Sequence, residues 1–180
     1  MLRSAKSLFA FVLVLGVGLA STVTPASAAT DKVLDWQVIG EGAGQCTISA
    51  SGAVTCTVQG SATGDHIGKG TYDVSSTLGT ILGPNGAGGV CALSSGTGMV
   101  TAADGSIVFF NVTGLQCQEG LSSNPPAGSF NGTYRITGGT GRFGAAAGGG
   151  SLTATFANSP GGVFAPGGVS FIKIDGAINF

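Results

Sequence analysis

The chain has 180 residues, of which 8% are charged and 34 are glycine, and its formal net charge at pH 7 is −1. A usual globular chain has about 25% charged residues, so this composition excludes a surface built from ion pairs and leaves Gly, Ser and Thr to cover the protein. The sparse charge also argues against a nucleic-acid partner, because neutralising phosphates requires clustered Lys and Arg.

The first 28 residues are predicted to be a secretion signal. Arg3 and Lys6 supply a positive segment, and Leu8–Ala20 then carries no charge. Small residues lead up to Ala28, which predicts cleavage after that residue. This apolar run is shorter than the about 20 residues of a membrane-spanning helix, so we expect no membrane span in the mature chain. Residues 29–180 are expected to form a single secreted domain, extracellular or periplasmic, with five basic and eight acidic residues and a net charge of −3.

Beyond the signal, the sequence predicts strands and no helix. Apolar residues do not recur at three-to-four spacing over three turns, and glycine interrupts nearly every window. Alternating runs bounded by turn residues are typical of an all-β sandwich or barrel, here with eight or nine strands. The predicted strands are Val33–Ile39, Gln45–Ser49, Ala53–Gln59, Gly70–Thr80, Gly89–Ala102, Ser106–Cys117, Phe130–Thr137, Ser151–Ala157 and Val169–Phe180.

The first pair of cysteines is predicted from a hairpin loop. A three-residue loop at Ala50–Gly52 places Ser49 opposite Ala53, with glycine at the left-handed loop position. Counting outward from that pair places Cys46 opposite Cys56. The two lie at a non-hydrogen-bonded position, where Cα atoms approach to about 4.5 Å and a disulfide can form.

The second pair follows from the same count. A loop at Ala103–Gly105 pairs the flanking residues and places Cys91 opposite Cys117. Four cysteines allow three connectivities, and a bulge in this longer hairpin would shift the match. We predict Cys46–Cys56 and Cys91–Cys117 as structural disulfides, which export of the chain permits.

The glycine-rich stretch after Tyr134 predicts a tight hairpin. A phosphate-binding loop is rejected because no Gly-Lys-Ser/Thr and no helix follow it. Instead, Gly138, Gly139 and Gly141 offer positive φ angles for a turn. Phe143 is expected to open the return strand and to cover the turn from inside.

Arg142 lies beside that turn. We expect it to open the return strand together with Phe143 and to brace the hairpin against a carboxylate such as Asp104 or Glu119. A position facing the cavity is the alternative.

At this hairpin the sequence resembles a known family. The segment FNGTYRITGGTGRFGAAAGGGSLTATF is similar to the signature of the allene oxide cyclase and dirigent superfamily, and GGVCALSSGTGMVTAADGSIVFF and FIKIDGAINF resemble further strands in the same order. The resemblance implies an eight-stranded antiparallel, calycin-like β-barrel with a central cavity. Members are often secreted and often trimeric, so it also implies a homo-oligomer.

The resemblance implies little about chemistry. In the cyclases a cysteine on the strand matching Gly89–Cys91 borders the substrate pocket, although a bond to Cys117 would remove that thiol. Dirigent proteins line their pockets with charged side chains, and no catalytic residue can be assigned by motif. The candidate pocket residues are Tyr72, Asp73, Tyr134, Arg135 and Arg142.

Other chemical signatures are weak. His66 is the only histidine and is interpreted as a surface residue, and no G-x-S-x-G elbow is present. Trp36 is expected to pack in the core. No metal or cofactor is expected. Asn111 and Asn131 lie in glycosylation sequons, which matter only in a eukaryotic host.

Three interpretations of function stay open. The first is a secreted, non-catalytic barrel that binds a small apolar ligand or acts as a stable extracellular module. The second is a cyclase-like isomerase or dirigent-like barrel that steers a reactive intermediate by its shape. The third is an outer-membrane barrel, against which stand the few aromatic residues available for interfacial girdles. The cavity lining is expected to discriminate between the first two, since ionisable groups beside an apolar pocket would favour chemistry.

Overall fold

The chain forms a closed eight-stranded antiparallel β-barrel in the computed structural model, which describes residues 32–84, 89–119, 127–157 and 168–180. The strands are β1 (Leu34–Ile48), β2 (Val54–Gly64), β3 (Gly68–Pro84), β4 (Val90–Thr101), β5 (Ile107–Gln118), β6 (Ala127–Gly139), β7 (Ala147–Ala157) and β8 (Gly168–Asn179). Each strand pairs with its neighbours along the chain, and β8 pairs with β1. The sheet therefore has no unpaired edge, and the predicted all-β barrel with eight strands is confirmed.

Side chains alternate between the interior and the outer surface along each strand. In β7, Leu152 is buried while Thr153 and Thr155 are exposed, and in β8 Ile172 is buried while Lys173 is exposed. The interior is filled by Val, Ile, Leu and aromatic side chains, and Ser and Thr are frequent outside.

Two predicted strands are one strand in the structure. The runs Val33–Ile39 and Gln45–Ser49 were separated because glycines lie between them, but β1 continues through this region and stays paired with β2. Gly42 lies opposite Gly60, and a Cβ atom at Gly42 would lie 2.1 Å from the Gln59 carbonyl oxygen. The glycines therefore permit close approach of two backbones rather than a turn.

Both predicted hairpin loops and both disulfides are confirmed. Ser49 N donates to Ala53 O at 2.9 Å, and Ala102 N donates to Ser106 O at 2.8 Å. These registers place Cys46 opposite Cys56 and Cys91 opposite Cys117, and each pair is disulfide-bonded with its Cα atoms 4.0 Å apart.

The glycine-rich hairpin differs from its prediction. Gly138 and Gly139 belong to β6, where a bulge shifts the register against β5, and only Gly138 of the two has a positive φ, of 138°. Gly141–Phe143 form a 3₁₀ turn, and the return strand begins at Ala147 rather than at Arg142. The bulge accommodates one extra residue and changes the direction of the chain. Counting residue pairs outward from a turn does not reveal such a bulge.

Aromatic rings of the interior pack against glycines one or two strands away. A Cβ atom at Gly40 would lie 2.6 Å from the Tyr72 ring, and one at Gly98 would lie 2.4 Å from the Phe110 ring. At Gly176 the nearest side-chain atom would be the Tyr134 hydroxyl, at 2.6 Å. Small inward positions thus make room for large side chains inside a narrow barrel.

The two ends of the barrel differ. At one end, the β6–β7 turn inserts Phe143, which is fully buried and packs edge-on against Phe180 with ring centroids 4.8 Å apart. We call this the closed end. The opposite end carries the loop between β1 and β2. We call this the β1–β2 end.

Candidate functional site

An apolar pocket lies inside the barrel near the β1–β2 end. It has a volume of about 90 Å³, and since one water-sized sphere needs roughly 10–15 Å³, it offers room for a small ring or a short chain. Its apolar wall consists of Val58, Val74, Val112, Phe130, Leu152, Ala154, Phe156 and Ile172. Gly44 and Gly168 belong to the same lining and add no side chain to fill the pocket.

The Cys46–Cys56 disulfide forms part of this wall. Its sulfur atoms do not titrate, so this stretch of the wall is uncharged and has no free thiol. Gln116 contacts the disulfide, and its Nε2 donates to Cys56 Sγ at 3.9 Å.

The polar lining is uncharged as well. Inward positions hold Gln116, Ser76 and Ser170, which supply amide and hydroxyl groups, whereas Gln45 and Thr57 border the pocket from outward positions. No Asp, Glu, Lys, Arg or His is among the described residues of the lining. The pocket can therefore hold an apolar body and hydrogen-bond uncharged polar groups, but it presents no described acid or base to a substrate.

Tyr72 lies next to this lining. Its side chain is 3% exposed, and burial raises the pKa of its hydroxyl, an effect that Glu41 reinforces and the nearby Ser170 hydroxyl partly offsets. The Ser170 hydroxyl is close to Tyr72 Oη, yet the geometry leaves Tyr72 Oη without a hydrogen bond. Tyr72 thus stays protonated at neutral pH.

The other predicted pocket residues lie elsewhere. Tyr134 is buried inside the barrel, 4% exposed, with its ring edge-on to Trp36 at a centroid distance of 5.6 Å. Asp73 follows an inward-facing residue of β3, and Arg135 precedes an inward-facing residue of β6. Both side chains therefore occupy outward positions. Of the five candidates, none is itself in the pocket lining, and only Tyr72 adjoins it.

Arg142 lies at the closed end, as a brace. Its guanidinium is 3.0 Å from the Asp104 carboxylate, donates to the His66 carbonyl oxygen and stacks over Phe143. The pKa of Asp104 is lowered, first by the Ser106 backbone N–H that donates to it and in part by Arg142. The predicted pairing of Arg142 with Asp104 is therefore observed.

Cys91 does not border the pocket. Its neighbours Ala92 and Ser94 are inward and buried, so the Cys91–Cys117 disulfide lies on the outer face of the barrel. The family resemblance implied a pocket cysteine at Cys91, but here Cys91 belongs to a structural crosslink. The disulfide in the pocket wall is Cys46–Cys56.

Sequence reasoning missed Gln116 and Ser170. Each is a polar residue at an inward position of a strand whose other inward residues are mainly apolar or glycine, and that break in the alternation was the available signal. It could be used only after the strand register was known.

The described part of the chain holds no cluster of three or more potential metal ligands. Within the same ranges, no helix has the length and apolar character needed to cross a membrane. Comparisons of the chain with protein-family models, with curated proteins and with solved structures find no match.

Proposed function

We propose that the protein is a secreted, non-catalytic barrel that binds a small apolar molecule in the pocket near the β1–β2 end. The observation that supports this most directly is the lining, which is apolar or uncharged throughout its described residues. The alternative, a cyclase-like or dirigent-like barrel, would use ionisable groups at the reacting centre, and the charged candidates Asp73, Arg135 and Arg142 lie away from the pocket.

Membership of the allene oxide cyclase and dirigent superfamily is part of this proposal. The closed eight-stranded barrel has the strand number and pairing that the resemblance implies. An extracellular or periplasmic location is supported by two disulfides, which persist in oxidising compartments.

The test is a titration of the purified protein with toluene, followed by methyl NMR. Toluene is an uncharged ring of the size that the pocket admits. We expect saturable shifts at the methyl groups of Val58, Leu152 and Ile172, which line the pocket, and unchanged signals at Val100, which is buried towards the closed end.

Two variants on one strand make the result specific. Ala154→Phe fills the pocket from an inward position, whereas Thr153→Phe adds the same side chain at the neighbouring exposed position. Toluene shifts should vanish in the first variant and persist in the second, with both variants shown to be folded by their methyl spectra. Binding absent from the native protein, or unchanged in folded Ala154→Phe, would contradict the proposal.

A further inference from the structure

Four buried polar atoms have no hydrogen-bond partner among the described residues. They are Trp36 Nε1, Tyr72 Oη, Ser94 Oγ and Tyr134 Oη. A buried donor without an acceptor destabilises a fold and is rare in native proteins, so each such atom calls for a specific explanation. Tyr72 differs from Trp36 and Tyr134 in its position, because it adjoins the pocket.

Two contacts place Tyr72 directly behind the inner part of the pocket lining. Its ring and the Ile172 side chain lie over the same glycine, Gly40, whose Cβ atom would be 2.6 and 2.7 Å from them. Its hydroxyl is close to that of Ser170, which is 2% exposed. Both Ile172 and Ser170 line the pocket.

We propose that Tyr72 and Ser170 form the hydrogen-bonding end of the pocket and that the ligand is an apolar molecule carrying one uncharged oxygen acceptor, such as a ketone or aldehyde carbonyl. Tyr72 Oη donates to that oxygen, and the apolar body of the ligand lies against Val58, Leu152 and Ile172. This inference rests on the proposed function, since it names the class of ligand that the same pocket takes.

The chemistry of the pocket selects a neutral oxygen. A carboxylate or phosphate group would need a cation to offset its desolvation, and the described lining offers none. A pure hydrocarbon would give Tyr72 Oη no acceptor, and the described residues supply none. The pKa of Tyr72 is raised, so its hydroxyl keeps the proton that it donates.

A matched pair of probes tests the inference. Acetophenone and α-methylstyrene have nearly the same shape, but acetophenone has a carbonyl oxygen where α-methylstyrene has a methylene group. We measure the dissociation constants of both by methyl NMR in the native protein and in Tyr72→Phe. Loss of one hydrogen bond should reduce the relative preference for acetophenone by about five-fold in Tyr72→Phe, while the affinity for α-methylstyrene stays the same or rises.

Tyr134→Phe is the matched control. It removes another buried, unpartnered tyrosine hydroxyl, but one that lies over Gly176 and beside Trp36 rather than against the pocket lining. Its ratio of the two dissociation constants should equal that of the native protein. A further readout is thermal stability, which should not fall in either variant in the absence of probe, because each removes a hydroxyl that has no partner.

The outcomes separate this inference from the proposed function. If both probes bind and the ratio of their dissociation constants is the same in the native protein and Tyr72→Phe, the pocket binds apolar molecules but the hydrogen-bonding end is wrong. An equal change of ratio in Tyr134→Phe would likewise overturn the assignment to Tyr72. If neither probe binds the native protein, the proposed function itself fails.

Discussion

Glycine at inward positions of this barrel is as much a packing residue as the aromatic side chains beside it. Phe110 of β5 packs against Gly98 of β4, and Phe130 of β6 packs against Gly114 and Gly132. In each case the ring occupies the volume that a side chain at the glycine would need. The two residue types must therefore change together if the interior is to stay filled without clashes.

Gly98→Ala tests this at one residue. The added Cβ would lie 2.4 Å from Phe110, whose side chain is 1% exposed and cannot move into solvent. We expect a loss of about 2 kcal/mol in the free energy of unfolding, as is usual for overpacking a core, measured by urea denaturation.

Gly79→Ala is the control for that substitution. Its Cβ would meet only the Leu93 carbonyl oxygen at 3.5 Å, an ordinary contact, and its backbone has no positive φ. Stability should be unchanged or slightly raised. Equal losses in both variants would show that strand propensity, rather than contact with Phe110, controls the effect.

Tyr134 makes the free energy of unfolding depend on pH in the alkaline range. Burial, with a smaller contribution from the Asp175 charge, raises the pKa of Tyr134 to about 12, against an ordinary value of 10.0. Because the unfolded chain loses this proton first, the stabilisation is complete below pH 10 and is lost as pH rises from 10 towards 12.

We therefore expect urea midpoints to fall between pH 9 and pH 11, with Tyr134 accounting for a loss on the order of 1 kcal/mol at pH 11. In Tyr134→Phe the decline should be smaller by that amount. The same decline in the native protein and the variant would show that other groups carry the dependence.

At the scale of elements, the two disulfides differ in what they touch. Both join directly opposed residues of a hairpin, but Cys46–Cys56 lies in the pocket wall and Cys91–Cys117 lies on the outer face. Their sequence separations are 10 and 26 residues. The chain-entropy argument gives each a stabilisation of about 3 kcal/mol, slightly more for the longer loop.

Removing each disulfide by a pair of Cys→Ala substitutions should separate stability from binding. Both double variants are expected to unfold at lower urea concentration. Only the Cys46→Ala/Cys56→Ala variant should also change the affinity for toluene, because only this pair lines the pocket. A change of affinity in the Cys91→Ala/Cys117→Ala variant would indicate that the outer crosslink shapes the pocket at a distance.

The hairpin between β6 and β7 shows where local sequence patterns mislead. GGTG was expected to reverse the chain, yet the reversal needs the longer segment from Thr140 to Ala146, which places Phe143 into the closed end. Thr140 N donates to Ile107 O at 2.8 Å, so the turn is held by β5 rather than by its own strands. Such a contact across 33 residues is invisible in a short window of sequence.

For the whole molecule, the decisive contact is between β1 and β8. Eleven residue pairs join them, from Leu34–Ile178 to Gly44–Gly168. This seam turns an open sheet into a barrel, removes both edges and creates an interior in which a pocket can exist. It also gives the first and last strands the same protection as the middle ones.

Native-state hydrogen exchange tests the seam. The slowest amides of β1 and β8 should exchange at rates similar to those of β4, whereas amides of the exposed loop around Ser51 should exchange rapidly. Exchange of β1 and β8 that is orders of magnitude faster than that of β4 would indicate an open sheet.

Several features followed from the sequence alone because they depend on neighbours in the chain. Alternation of apolar and polar residues predicted most strands, and three-residue loops ending in glycine set the registers that pair Cys46 with Cys56 and Cys91 with Cys117. The same local information placed Trp36 and Phe143 in the core. The sequence offered Asp104 and Glu119 as partners of Arg142, and the structure shows the pair with Asp104.

Only the tertiary structure decided what the interior contains. The continuity of β1 through its glycines depends on its pairing with β2, and the meeting of Tyr72 with Ser170 depends on closure of the barrel. Tyr72 and Ser170 are almost one hundred residues apart in the chain, and they meet because β3 pairs with β2, β2 pairs with β1 and β1 pairs with β8. Local patterns determine which way a side chain faces, whereas closure determines which side chains it faces.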